Sequence, residues 1–320
     1  MVHNTPTTST IISKMLDSAI RTISVARCCP IAAAAYFERK VQIWNLATAE
    51  LVSELDTVFA FGGHRLSVDQ SGEYCVAASF HAGHKGGVAC YEARSGRKVW
   101  HRADLRRVQG VRFSATGETI WCRIEGGPIQ SLDAHTGLTL GSLRKIRKVF
   151  DSPYTTHLLH VLQERAEDYV IVGSRKLRVP RLAFAILAAT FSPDALCLSE
   201  ANGPVRCLDL ATAKERWRYV PTSGNHVLGL SYQADQFLYG VQWAYERGGP
   251  VMLLQLSQST GAVRDVCRLN SFPDAFGFGS GNVLVSSGDV VSLPTGSIVR
   301  HLAFPMKNYP DPESTVVADV

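Results

Sequence analysis

Two imidazoles three residues apart, His81 and His84 in the run His-Ala-Gly-His, form the sharpest chemical spacing in this 320-residue chain. Such a pair could give two ligands to zinc, which takes three or four. The loop around them holds Lys85 and no nearby Cys, Asp or Glu, so they read as exposed loop histidines and no metal is expected. Eight cysteines, at 28, 29, 75, 90, 122, 197, 207 and 267, include no Cys-x-x-Cys pair, and read mostly as reduced, buried small hydrophobes. Ser, His and Asp are plentiful, but no Gly-x-Ser-x-Gly elbow, phosphate-binding glycine loop or His-Glu-x-x-His motif organises them. Catalytic residues and cofactors are therefore expected to be absent.

Binding chemistry is better represented. Trp243, Tyr245 and Arg247 are of the types enriched at the centres of protein interfaces. They begin a segment, Trp243 to Gly249, that is longer than the four-residue turns EGGP and ANGP elsewhere, as is the segment His81 to Gly87. Extra loop residues on a rigid scaffold are where binding usually resides.

The elements that must position these loops recur along the chain. VQIWNLATA from Val41, VACYEARSG from Val88, IQSLDAHTG from Ile129 and VRCLDLATA from Val205 are copies of one phrase, with looser ones at Val251 and Val290 and room for another near Tyr169. The mean step is about 41 residues, a period that suits four short antiparallel strands per unit. A strand-turn-strand phrase precedes several copies, as in LSVDQSGEYCVAAS from Leu66 and VRFSATGETIWCR from Val111. In the first unit, strands are expected at 21–27, 31–37, 40–46 and 50–55. The expected fold is all-β, a single seven-bladed β-propeller of four-stranded antiparallel blades over residues 21–303. An N-terminal arm occupies 1–20 and a mobile tail 304–320. Residues 149 to 185 match the repeat poorly.

Val41-Gln42-Ile43-Trp44-Asn45-Leu46 resembles the end of a WD repeat, with Asn45 where that family has Asp. Ser95 to Trp100 and Thr212 to Trp217 resemble the Thr-Gly-x-x-x-Trp end of quinoprotein-like (PQQ-type) repeats, which implies that Trp100 and Trp217 pack between blades. Cys28-Cys29 is similar to the adjacent cysteines of quinoprotein alcohol dehydrogenases, where a vicinal disulfide lies over the cofactor. Those enzymes are longer, exported and equipped with a calcium site, and neither an export signal nor an acidic metal cluster is found here.

Propeller geometry puts the second-to-third-strand loops on one face with the interblade connections. The expected partner-binding residues on that face are His81, His84, Lys85, Arg106, Arg107, Lys145, Lys148, His226, Trp243, Tyr245 and Arg247. With a net charge of +5, this face suits a protein partner, plausibly an acidic one. The expected function is a non-catalytic protein-protein interaction module, such as a bacterial accessory or toxin-neutralising immunity protein. The alternative is a propeller enzyme, a lactonase-like hydrolase or quinone-dependent oxidoreductase using the central channel. A cytoplasmic location is expected. Membrane and nucleic-acid partners are not: the apolar run Leu182 to Leu198 is broken by Ser192, Pro193 and Asp194, and the positive charge is modest and spread.

Overall fold

A computed structural model of the chain describes residues 20–36, 40–57, 64–79, 86–143, 148–150, 159–164, 167–172, 175–179, 186–222, 224–232, 237–244, 250–269 and 275–304. The first sheet joins β1 (Ile20–Val25), β2 (Ile31–Tyr36), β3 (Lys40–Asn45) and β4 (Glu50–Asp56). The second joins β5 (His64–Val68), β6 (Tyr74–Ser79), β7 (Gly87–Glu92) and β8 (Lys98–Arg102), and the third β9 (Val108–Phe113), β10 (Thr119–Ile124), β11 (Ile129–Asp133) and β12 (Thr139–Leu143). Next come β13 (Lys148–Phe150), β14 (Leu159–Glu164), β15 (Glu167–Val172) and β16 (Arg175–Val179), then β17 (Ile186–Phe191), β18 (Ala195–Glu200), β19 (Val205–Asp209) and β20 (Glu215–Tyr219). The last two sheets are β21 (Asn225–Tyr232), β22 (Phe237–Ala244), β23 (Val251–Ser257), β24 (Val263–Leu269), and β25 (Phe276–Gly279), β26 (Asn282–Val285), β27 (Asp289–Ser292), β28 (Ile298–His301).

All described sheets pair consecutive strands antiparallel, and contacts join the first sheet to the second, the second to the third, and the β17–β20 sheet to the β21–β24 sheet. The expected strands of the first unit fall within two residues of those observed. The run Ile-Ala-Ala-Ala-Ala-Tyr in β2 shows how sequence serves this packing. All six residues are buried; Ala33 and Ala35 enter the core shared with the second sheet, and Ala32 and Ala34 the core shared with the last. Small residues on both faces let two neighbours approach at once, which is why the strand reads as a continuous apolar run rather than an alternating one. Contact of β1 with β25 joins the first sheet to the last.

Two hydrogen-bond systems tie neighbour to neighbour. On the inner strands, the Ser24 hydroxyl oxygen accepts the Val68 N–H at 2.9 Å, Ser67 accepts the Phe113 N–H at 3.1 Å, and Thr190 accepts the Tyr232 N–H at 3.4 Å. On the outer side, the hairpin between third and fourth strands ends in a left-handed residue: Ala49, Gly96, Gly137, Ala213, Gly261 and Gly296, with φ of 62, 69, 72, 57, 69 and 70°. Each hairpin also carries a register slip between its strands, as expected where a type I turn is followed by a left-handed residue. The preceding sheet's outer strand packs on this turn. The Trp100 indole N–H donates to the Ala134 carbonyl at 2.8 Å and Trp217 donates to Gln258 at 2.7 Å. A Cβ on Gly137 would lie 2.7 Å from the Trp100 ring, and one on Gly261 2.5 Å from that of Trp217. Both tryptophans thus pack between blades.

The expected seven-bladed propeller is corrected to six blades. Six sheets share the slipped hairpin with its left-handed residue, whereas in the β13–β16 sheet β15 and β16 pair without a slip and β13 has only three residues. The physical cause is local: only two residues separate Val172 from Arg175, too few for the turn the other blades use. Of this sheet's side chains, Val179 is buried in the core of the following blade. At the other boundary Phe304, assigned from sequence to the tail, is buried edge-on against Tyr36 and Trp44, with ring centroids 6.3 and 5.5 Å away.

Two substitutions separate the clasp from ordinary packing. Gly137→Ala is expected to lower stability by about 2 kcal/mol or more, combining a left-handed alanine with a collision on Trp100, whereas Ala213→Gly is expected to raise it by about 0.5–1 kcal/mol; urea unfolding checks both. In the inner system, Ser67→Ala leaves the buried Phe113 amide without an acceptor and is expected to cost about 1–3 kcal/mol, with faster hydrogen exchange at that amide.

Candidate interaction face and central cavity

The inner strands all run from an entry end, reached from the preceding blade, to an exit end that turns back into the second strand. Arg106 and Arg107 stand at the entry end of β9. Both are exposed, and Arg107 adopts a left-handed backbone, φ 52°, an uncommon state for a long side chain. The Arg107 carbonyl accepts the Glu125 N–H at 3.0 Å, and its guanidinium lies 3.5 Å from the Glu125 carboxylate. At the entry end of β21, His226 faces Trp243 across the β21–β22 ladder. The His226 Nδ1 accepts the Asn202 N–H at 3.3 Å. These four expected residues therefore lie on the same end of the ring, around different blades. Lys148 opens β13, and only its backbone is described; His81, His84, Lys85, Lys145, Tyr245 and Arg247 lie outside the described residues.

Beneath this face Glu200 is fully buried and accepts the Arg206 guanidinium at 2.6 Å; Arg206 also reaches Glu215 at 3.2 Å, and Arg218 meets Glu215 at 2.7 Å. Hydrogen bonding from Arg218 holds the Glu215 carboxyl below the usual carboxylate range. The pairing leaves the buried carboxylate compensated and ties its strand to the next. On the opposite end, Arg216 bonds both Asp194 and Asp209 at 2.8 and 2.6 Å and draws both carboxyls below their ordinary range.

Among the described residues, Ser287, Asp289 and His301, and the Cys28-Cys29 pair, make structural contacts. Asp289 accepts Ser287 at 2.7 Å and His301 at 2.8 Å through different oxygens. Both partners are spent on the carboxylate, so the imidazole is not placed to take the serine proton, as a nucleophilic arrangement requires. Cys28 and Cys29 are free thiols. Cys28 donates its backbone N–H to Gln70 at 3.1 Å, and the Cys29 carbonyl accepts Ser280 at 2.7 Å, so the pair stitches the first blade to its neighbours. Burial raises the Cys29 thiol above its ordinary value. Cys75, Cys90, Cys122, Cys197 and Cys207 are buried, as expected of small hydrophobes, while Cys267 is half-buried. Among the described residues no group of three or more metal-ligating side chains converges.

The inner strands enclose a central cavity of about 300 Å³. Its wall includes Ser24, Ser67 and Ser231, the Phe276 and Phe278 rings, and at the exit end Arg27, Gln70 and Arg112. Sequence reading missed these last three. Aligning the strand-turn-strand phrases, which places Arg112 of VRFSATGE beside Ser67 of LSVDQSGE, would have found Arg112.

No protein-family model and no curated protein sequence matches the chain. Solved structures do. The structure of U3-55K superposes with a TM-score of 0.63 at 11% identity over 84% of this chain and 89% of that one. The RRP9 WD40 repeats give 0.64 at 11% identity over 84% and 88%. The Myceliophteria thermophila Cps50 (Swd1) β-propeller domain gives 0.62 at 12% identity over 87% and 94%. At such identities the likeness speaks for the fold alone: this chain folds as an all-β propeller of four-stranded blades.

Proposed function

We propose that this protein is a non-catalytic docking module that binds a protein partner on the entry face of its ring. The observation that carries this reading is the presentation of Arg106 and Arg107 on a left-handed corner held by Glu125, on the same end as His226 and Trp243. Backbone strain at a non-glycine persists where the surroundings hold it, and such positions cluster at functional sites. Consecutive exposed guanidiniums give charge complementarity to a carboxylate-rich surface, and a half-buried tryptophan beside a histidine supplies the anchor type common at interface centres. The partner is therefore an acidic protein. Lys145, Lys148, Tyr245, Arg247 and His81, His84 and Lys85 are further candidates from sequence alone.

The finer form of this reading is an accessory protein that masks its partner in the cytoplasm, as a toxin-neutralising immunity protein does; a rigid basic ring of this size is suited to covering one acidic active surface. The packing of Trp100 and Trp217 between blades supports kinship with quinoprotein-like repeats in architecture, separate from any cofactor.

Affinity capture of the tagged full chain from its native lysate, with mass spectrometry, identifies the partner, and titration calorimetry then measures the variants. Arg106→Glu with Arg107→Glu is expected to weaken binding at least about tenfold and to reduce its salt dependence, and Trp243→Ala to cost about 1–3 kcal/mol of affinity. Unchanged affinity in both variants, or no stoichiometric protein partner, would sink the proposal.

A further inference from the structure

The inner hydrogen-bond system has an exception, and it is charged. Pairing across the first turn of five sheets aligns Val25, Val68, Phe113, Phe191 and Tyr232, which face Ala32, Cys75, Ile120, Leu196 and Leu238; in the last sheet Gly279 faces Asn282 and the residue before it is the apolar Phe278. One residue earlier in the five stand Ser24, Ser67, Arg112, Thr190 and Ser231. Four blades carry a hydroxyl there, and in three of them it accepts the next blade's N–H. The third blade carries a guanidinium, which can donate but not accept, so it cannot take that structural role. Arg112 is exposed on the cavity wall and forms no hydrogen bond or ion pair with a described residue.

A second polar side chain borders the same space. Gln70, two residues beyond the inner strand of the second blade, lines the cavity, and its amide nitrogen is buried without an acceptor. Burying an amide donor unpaired is costly, and each such group calls for an explanation. Arg27 holds the corresponding place in the first blade and also lines the cavity. The described wall contains no Asp or Glu. Nearby Asp69 is turned into its own hairpin, accepting Ser71 and the Tyr74 N–H.

We propose that the exit end of the central cavity is a binding site for a small oxyanion, a ligand carrying phosphate or carboxylate groups, held by the Arg112 guanidinium with Arg27 and Gln70 beside it. A planar guanidinium offers paired N–H donors to two oxygens of such a group, and a charge-assisted bond of this kind is about twice as strong as a neutral one. Phe276 and Phe278 line the same cavity, and about 300 Å³ limits the ligand to a small molecule. This site lies at the opposite end of the inner strands from Arg106 and Arg107, so it can fail while the docking face stands.

The test uses the full chain and the design its own repeat provides. Inorganic phosphate and citrate are titrated calorimetrically against sodium chloride of equal ionic strength, and melting temperature is followed in parallel. Saturable binding of at least one of the two is expected, with a melting temperature above that in chloride. Arg112→Ser, which writes the hydroxyl of the sister blades into the third, is expected to fold with an unchanged or higher melting temperature in chloride and to bind at least about tenfold more weakly. Absence of saturable binding to both anions in the wild type, or the same affinity in Arg112→Ser as in the wild type, would overturn the site.

Discussion

Everything in this ring depends on how one blade holds the next. A four-stranded sheet alone has two apolar faces and an exposed edge, and it becomes stable only when neighbours cover it. Here that coverage is fixed at two radii. Outside, the fourth strand of one blade lies on the left-handed turn of the next, with Trp100 and Trp217 pressed against glycines that have no room for a Cβ. Inside, a hydroxyl on one strand takes the otherwise unpaired N–H of its neighbour. The outer contact sets the spacing and the inner one the register. A blade joined at both radii cannot tilt or slide, so the loops at its ends are held in fixed relation to those of the other blades.

This division explains why the fold was legible. The outer turn demands a left-handed residue after a type I turn, and the sequence meets that demand with Ser-Gly, Thr-Gly or Thr-Ala at nearly regular intervals. Those phrases located the third strands to within a residue. They also showed where the pattern fails, because residues 149 to 185 lack the phrase and their sheet pairs without the slip. Counting a blade there as equal to the others overreached for a simple reason. Period measures chain length between repeats, while membership in the repeat is a matter of turn chemistry.

The candidate site was legible only in part. Exposed arginines in connections and an aromatic at a hairpin end announce themselves by residue type, and Arg106, Arg107, His226 and Trp243 do share one end of the ring. The cavity residues did not announce themselves. Arg112 sits in a strand between Val111 and Phe113, where alternation marks it as an ordinary exposed position. Gln70 looks like a turn residue beside Ser71 and Gly72. What distinguishes them is relational: one stands where its sister blades place hydroxyls, the other has an amide with nothing to bond. Neither fact is visible until strands are aligned on their hairpins and side chains are set around a common axis.

The two departures from the repeat coincide. The blade bearing Arg112 is the one followed by the β13–β16 sheet, so the missing inner hydroxyl and the missing outer slip occur on either side of a single junction. In a repeat protein each blade meets only its neighbours, and a change at one junction leaves the rest of the ring intact. A junction released from the common hydrogen bond can carry a charge into the channel at little cost to the other blades. That is the physical reason to read Arg112 as a chemical feature of the cavity: the hydroxyl that four other blades carry has given way to a donor without a described partner, at a place where the scaffold can tolerate it.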